Sequence, residues 1–284
     1  MKAPLVVIVA VGAAFAQPQI TREGNDWVQV LNGVVPGNGY IRLRVVTEGD
    51  VRVRGQKSDS RISFTLKKRV RAGTLREAER LLADFNIRTV IGGTAASITV
   101  VGPRGPVHSS DFSVTVPASL KSAVLETQAG NLIASDLAGE LNGQTRAGRI
   151  ELDRLGAAAS VRTGGGEVHV GRVAGGVRCY SGGGNIRAEA VGTDSWFETA
   201  GGDIQIGEGS GPIHAMTAGG NIKVDRCSAD VFARTGAGVI DVRQAGGLVT
   251  ADNSSGAIQI ESARGVRCES SAGRIRLRNV GDGG

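Results

Sequence analysis

Aromatic residues make up only 4% of this 284-residue chain, proline occurs 7 times, and cysteine and histidine 3 times each. Each scarcity removes a class of protein. With so few rings, a core has to be assembled from Val, Ile, Leu and Ala, which suits β-branched strands better than a large α-bundle. Glycine is abundant, at 44 residues. The shortage of proline nevertheless excludes a Pro/Gly linker, and the lack of a three-residue period excludes collagen. None of His108, His169 and His214 sits in a triad or metal-ligand spacing, and no cofactor or metal is implied. Beyond the first residues, no segment is apolar enough to span a membrane.

What is present begins with a leader. Lys2 is followed by the apolar run "APLVVIVAVGAA" and by Ala14–Phe15–Ala16, small residues placed three and one positions before a cut at Gln17. This predicts a secretory signal peptide over residues 1–16, or an N-terminal anchor if it is left uncleaved. The chain is then expected to be exported: periplasmic, cell-surface or secreted. No Cys follows the run, which argues against a lipoprotein anchor. Nucleic acid is disfavoured as a partner by export.

Charge is uneven. Residues 17–126 hold 16 Lys and Arg against 10 Asp and Glu, whereas residues 127–284 hold 16 against 17. The densest basic point is "KKRVR", with Lys67, Lys68, Arg69 and Arg71. Such a cluster can contact an anionic surface, or it can be the solvated face of a strand.

The dominant feature is a repeat. Units open at Thr127, Thr145, Thr163, Ser181, Thr199, Thr217, Thr235 and Asn253, each 18 residues after the last, and a ninth opens at Ser270, one residue early. The fourth position is Gly in all nine, from Gly130 to Gly273. Such self-similarity is the signature of a solenoid. Positions six and eight are apolar (Ile204/Ile206, Ile222/Val224, Ile240/Val242), and so are positions fifteen and seventeen (Val177/Cys179, Ile213/Ala215, Val231/Ala233). Alternation of this kind means strands with one buried face. One unit cannot bury its apolar side alone, but stacked units can. The expected fold is all-β: a right-handed, single-stranded parallel β-helix of about nine 18-residue coils over residues 125–284. The glycine at position four marks a corner where a Cβ would clash or φ must be positive.

In this register Cys179 and Cys268 share an inward position five coils apart, beyond the reach of a disulfide. Cys227 occupies another inward position. All three read as small buried hydrophobes. At position nine Asp225, Arg243, Glu261 and Arg278 alternate in sign along the stack, as laddered neighbours should.

The repeat also bears on chemistry. Eighteen is twice nine, but a calcium-binding β-roll needs Asp after both turns of every coil. Here the residue after the fixed Gly varies, and Asp203 is the one Asp. Polysaccharide-active β-helices need paired carboxylates in a cleft walled by long loops, and this repeat has almost no insertions. The informative outward position is sixteen, where successive coils carry Arg178, Trp196, His214 and Phe232. Position eighteen adds Tyr180, Glu198, Met216 and Arg234. In a chain so poor in aromatics this strip reads as a ligand or partner surface, or as a face covered by the N-terminal segment or a second copy. Arg178, Tyr180, Trp196, His214 and Phe232 are the candidate binding residues.

Residues 17–124 are expected to form an irregular β region. Strands run through "GYIRLRVV", "GDVRVRG" and "RISFTL". A helix of about residues 74–85 is capped by Thr74 with Glu77 three positions on, and presents Leu75, Ala78, Leu81, Leu82 and Phe85 on one face. An irregular β region, one short helix, a "VTVP" strand (Val114–Pro117) and tandem T-x-x-G-x-I-x-V coils together resemble the bacterial "putative adhesin" family, a β-strand-repeat domain of unknown function, over residues 39–284. The resemblance implies an extracytoplasmic or envelope-associated right-handed β-helix and brings no catalytic residues; the expected role is a non-enzymatic, adhesin-like binding or scaffolding rod with an envelope glycan or protein as partner. More remotely the chain is similar to bactofilins, whose short-coil helices polymerise end to end. The last coil, "RIRLRNVGDGG", shows no obvious cap, and an uncovered coil is an open edge able to pair; self-association through it is an alternative role, and a polysaccharide-active enzyme is the other alternative.

Overall fold

The computed structural model describes residues 19–37, 39–57, 60–103 and 108–281; the leader predicted over residues 1–16 lies outside them. The fold is all-β, with one short helix and a parallel β-solenoid of about nine turns and about 18 residues per turn, preceded by irregular strands. The chain forms two compact units, Met1–Thr145 and Arg146–Gly284.

The first unit contains β1 (Ile20–Glu23), β2 (Asp26–Val34), β3 (Arg42–Thr47), β4 (Asp50–Gln56), β5 (Ser63–Arg71), α1 (Leu75–Ala83), β6 (Asn86–Gly92), β7 (Ala95–Val101), β8 (His108–Pro117), β9 (Ser122–Thr127), β10 (Leu132–Leu137) and β11 (Glu140–Thr145). Strands β1, β2, β5 and β8 pair antiparallel in that order. By contrast, β3 pairs in parallel with β9, β4 with β10, and β9 with β11. Residues 42–56 therefore already run in coil register. Thr47 stands beside Thr127, and a Cβ on Gly130 would lie 2.1 Å from the carbonyl carbon of Gly49. The 18-residue period alone does not expose this coil, because residues 57–121 separate it from the next one and its corner is one residue short.

Helix α1 forms where expected. Thr74 caps it by accepting from the Glu77 N–H at 3.3 Å, and the Glu77 carboxylate accepts from the Gly73 N–H at 3.0 Å. Ala78, Leu82 and the following Phe85 are buried with Val70. Leu75, expected on the same face, is exposed and stands outside the cluster that Ala78, Leu82 and Phe85 form with Val70, Ile20, Trp27, Ala72 and Leu81.

In the second unit, strands alternate between two parallel ladders. One runs through Ile150–Leu155, Val168–Val173, Ile186–Val191, Ile204–Gly209, Ile222–Cys227, Ile240–Ala245 and Ile258–Ser262 to Ile275–Leu277. The other runs through Ala159–Thr163, Val177–Ser181, Ser195–Thr199, Ile213–Thr217, Val231–Thr235 and Leu248–Ser255 to Gly265–Ala272. Each side chain stands beside its copy in the next coil, so Ile204, Ile222 and Ile240 form one buried column and Phe197, Ala215 and Ala233 another.

The opening Thr and the fixed Gly work together at the corner. The Thr217 hydroxyl donates to the Gly202 carbonyl of the preceding coil at 2.9 Å and accepts from its own Gly220 N–H at 3.1 Å. Ser181 repeats this with Gly166 and Gly184, Thr199 with Gly184 and Gly202, and Thr235 with Gly220 and Gly238. Asn253 substitutes its amide, donating to Gly238 at 3.4 Å. A Cβ on Gly220 would lie 2.0 Å from the Gly202 carbonyl oxygen. Close approach, rather than backbone conformation, thus fixes these glycines; Gly256, at φ +112°, needs both.

Neighbouring glycines supply a controlled test. Gly219 has nothing within 4 Å of an added Cβ, whereas Gly220 meets backbone. Gly220→Ala is expected to destabilise the fold by about 3 kcal/mol, in the range of overpacked sites, while Gly219→Ala changes stability by less than about 0.5 kcal/mol. Urea unfolding of the two variants measures the difference, and equal midpoints would refute the packing account.

Candidate functional site

The strand pairing that aligns the core also aligns the outward side chains. Arg178 is registered with Trp196, Trp196 with His214, His214 with Phe232, and Phe232 with Thr250. The three rings form one continuous stack. Trp196 and His214 have centroids 3.8 Å apart and planes 4° from parallel; His214 and Phe232 are 4.6 Å apart and 3° from parallel. Adjacent parallel strands lie about 4.8 Å apart, which is also a comfortable stacking distance for flat rings. Trp196 is 42% exposed, Phe232 37% and the neighbouring Met216 40%.

Asp194, at the corner before this ladder, holds the stack. One carboxylate oxygen accepts from the Trp196 indole N–H at 3.1 Å, and the other lies 3.3 Å from His214 Nε2. The column at position eighteen runs beside it: Arg162, Tyr180, Glu198, Met216, Arg234, Asp252 and Glu269. Within it the Arg162 guanidinium lies over the Tyr180 ring, 4.3 Å from its centroid, and Arg234 pairs with Asp252 at 3.1 Å. The five predicted binding residues, Arg178, Tyr180, Trp196, His214 and Phe232, therefore share one face. Sequence reasoning did not identify Asp194, which orients two of the rings; its place two residues before Trp196 at a coil corner was the available signal.

The stack presents itself edge-on. Both faces of His214 are covered by its neighbours, and the outer faces of Trp196 and Phe232 look toward Arg178 and Thr250 of the adjoining coils. An isolated flat platform for a single sugar ring is not what the geometry offers. It offers a narrow apolar ridge, flanked by charges of both signs.

The other predicted cluster is largely committed within its own unit. Lys67 pairs with Glu23 at 2.9 Å, Arg69 with Asp111 at 2.7 Å and Arg71 with Asp26 at 3.0 Å. Lys68 points inward, only 5% exposed, between Leu66 and Val70 on β5. Its ammonium donates to the Leu82 carbonyl at the C-terminal end of α1 at 3.0 Å and to Gln29 Oε1 at 3.3 Å, and lies 5.4 Å from the centre of the Phe85 ring. A cation satisfies the open carbonyls and the negative end of a helix, yet burial pushes this amine down to about 8.

Cys179 and Cys227 are buried as expected, and burial raises both thiols. Cys268 departs from expectation. It is only half-buried, because its strand Gly265–Ala272 pairs with Leu248–Ser255 at one edge of the ladder order and lacks the enclosure given to inner strands. Asp203, the one Asp of the glycine turns, gives an oxygen to the N–H and side-chain amide of Asn221, at 2.7 and 3.2 Å. It belongs to a backbone-supporting ladder that begins with Asn185 accepting from the Asp203 N–H at 2.8 Å. Among the described residues, no helix is long and apolar enough to cross a membrane.

The geometry defines a β-solenoid whose outward side chains stand in columns. No protein-family profile matches the chain, and no curated protein matches it. Several solved structures are similar. One described as a "putative adhesin" from Parabacteroides distasonis is 14% identical, covers 87% of this chain and 96% of its own, and has a TM-score of 0.45. Another "putative adhesin", from Parabacteroides merdae, is 13% identical over 87% and 95%, with a TM-score of 0.36. A "putative lipid binding protein" from Parabacteroides distasonis is 14% identical over 91% and 96%, with a TM-score of 0.30. At such identities and TM-scores these likenesses assign no ligand and no activity to this chain.

The buried amine yields a pH signature. Its folded value lies below the usual 10.5, so between about pH 8 and 10.5 the unfolded chain binds more protons than the folded one. Stability contributed by Lys68 therefore rises through that window, by on the order of 2 kcal/mol. The raised thiols act oppositely above pH 9. The measurable quantity is thus the difference between wild type and Lys68→Met in chemical unfolding from pH 7.5 to 10. Wild type is expected to gain on the variant as pH rises, and parallel curves would contradict the assignment.

Proposed function

We propose that this chain is an exported, non-enzymatic β-solenoid that works as an adhesin-like binding or scaffolding element at the bacterial cell envelope. The observation that carries the reading is the exposed Trp196–His214–Phe232 stack. A chain with 4% aromatics has lined three rings in register on one outward ladder, with Asp194 fixing two of them. Such a ridge, rimmed by Arg178, Glu198 and Arg234, has the composition of a contact surface: aromatic at the centre and charged around it. Export is supported by the signal-like residues 1–16. A binding role rather than a catalytic one is supported by the regularity of the coils, which set outward side chains in flat columns and commit Asp194 and Asp203 to structural hydrogen bonds. The partner is an envelope glycan or protein with a long, flat contact surface, since the rings present their edges.

Cosedimentation of purified protein with cell-envelope fractions tests the reading. A Trp196→Ala/Phe232→Ala double variant with an unchanged circular dichroism spectrum is expected to bind about tenfold more weakly, the loss typical of central aromatic anchors. Full binding by the folded variant would remove the ridge from the function.

A further inference from the structure

The face that carries the rings has an internal symmetry that composition alone does not require. Take the strand Ile213–Thr217 as the centre and count coils in both directions. At position eighteen, Met216 is central. One coil to either side are Glu198 and Arg234, two coils away are Tyr180 and Asp252, and three coils away are Arg162 and Glu269. Reversing the order of the coils turns each residue into a complement of itself: acid onto base, phenol onto carboxylate, base onto acid. At position sixteen the same reversal leaves His214 on itself and exchanges Trp196 with Phe232, Arg178 with Thr250 and Ser160 with Arg267. No like charges meet in either column.

From this pattern we infer that the face binds a second copy of itself, the two solenoids packing antiparallel about a two-fold axis along the His214–Met216 strand. A two-fold axis lying in the plane of a sheet and along its strands preserves position within the strand and inverts coil order, which is the operation the columns satisfy. An isologous contact of this kind has to be self-complementary. Across it Glu198 meets Arg234 twice, Arg162 meets Glu269 twice, Met216 meets Met216, and the two ring ridges pack edge to edge. At the corner position fourteen, Asp194 faces Asp230. Both are already bound within their own chain, Asp194 to Trp196 and His214, and Asp230 Oδ1 to the Leu248 N–H at 2.7 Å. Seven coils at about 4.8 Å and strands of about five residues give a patch of roughly 500 Å² per copy. That is small for a stable complex, so dimerisation belongs in the micromolar range.

The inference rests on the reading of this ladder as the contact face and names its occupant. Sedimentation equilibrium from 1 to 200 µM tests it on the purified chain. Wild type is expected to dimerise. Glu198→Arg sets arginine against Arg234 at two symmetry-related points and is expected to raise the dissociation constant at least tenfold, since like charges facing across an interface are strongly unfavourable. Adding Arg234→Glu is expected to restore dimerisation. Glu198 and Arg234 are two coils apart within one chain, so this rescue reports a contact between chains. A Met216→Cys variant is expected to couple to its partner through a short bis-maleimide under the same conditions, while wild type does not. A monomer at every concentration, or a dimer indifferent to Glu198→Arg, overturns the inference. Retained envelope binding that is lost in Trp196→Ala/Phe232→Ala would then show that the face is a contact surface for a different occupant.

Discussion

The hydroxyl at the corners from Thr127 to Thr235 is the contact on which the rest of the solenoid depends. Where a coil turns, strand pairing lapses and backbone groups lose their ladder partners. Thr217 satisfies two of them, the Gly202 carbonyl below and the Gly220 N–H within its own coil. One hydroxyl both donates and accepts, so a single side chain closes the corner and links it to the preceding coil. Each bond is worth about 1 kcal/mol net, but a buried group left unpaired costs more. The glycine three residues on is part of the same device, because only a residue without Cβ lets the carbonyl of the coil below approach so closely. Valine at the hydroxyl position would match its shape and leave both partners unsatisfied.

Because the corners from Thr127 to Thr235 share this device, their coils have nearly the same path, and side chains at one position become columns. Inside, the column of Ile204, Ile222 and Ile240 is a continuous apolar wall. Outside, the same repetition places any charge next to whatever the neighbouring coil holds. Arg243 beside Asp225 at 3.2 Å and Asn221 beside Asp203 show two solutions, an ion pair and a shared amide. The ring stack is a third. Tryptophan, histidine and phenylalanine at successive copies of one position lie face to face, with centroids 3.8 and 4.6 Å apart. The resulting surface is flat and linear, suited to lying along something rather than enclosing it.

Much of this was legible beforehand because the determining residues recur at a fixed interval. The Thr–Gly spacing located the corners, the alternation at positions six and eight located the walls, and the outward phase of position sixteen located Trp196, His214 and Phe232 on one face. What escaped had lost the interval. Residues 42–56 form a coil in register with residues 122–137, yet they lie some 80 residues earlier in sequence, and the corner Thr47–Glu48–Gly49 is one residue short. Lys68 escaped for another reason. The run Phe64, Leu66, Lys68, Val70 has the phase of a buried face, but the charge of its neighbours disguised one member as part of a basic patch. Its partner is a helix C-terminus contributed by a separate element, which no local pattern announces. Ring orientation was also hidden: sequence placed the rings together, and only the strand spacing turned their faces against one another.

Columns also give a solenoid face a direction. A column of uniform charge looks the same from both ends, so two such faces have no preferred relative orientation. The column from Arg162 to Glu269 differs: it is basic, then acidic, at one end, and basic, then acidic, at the other, about a neutral centre at Met216. Laid parallel and in register on a copy of itself, it sets Glu198 against Glu198 and Arg234 against Arg234. Laid antiparallel, it sets each against the other. The parallel arrangement turns about an axis running along the coils, which reverses position within the strand, so with the position-eighteen column laid on itself the ring ridges no longer meet. In the antiparallel pairing both columns meet their own copies, so the charged column sets the register and the rings supply the burial.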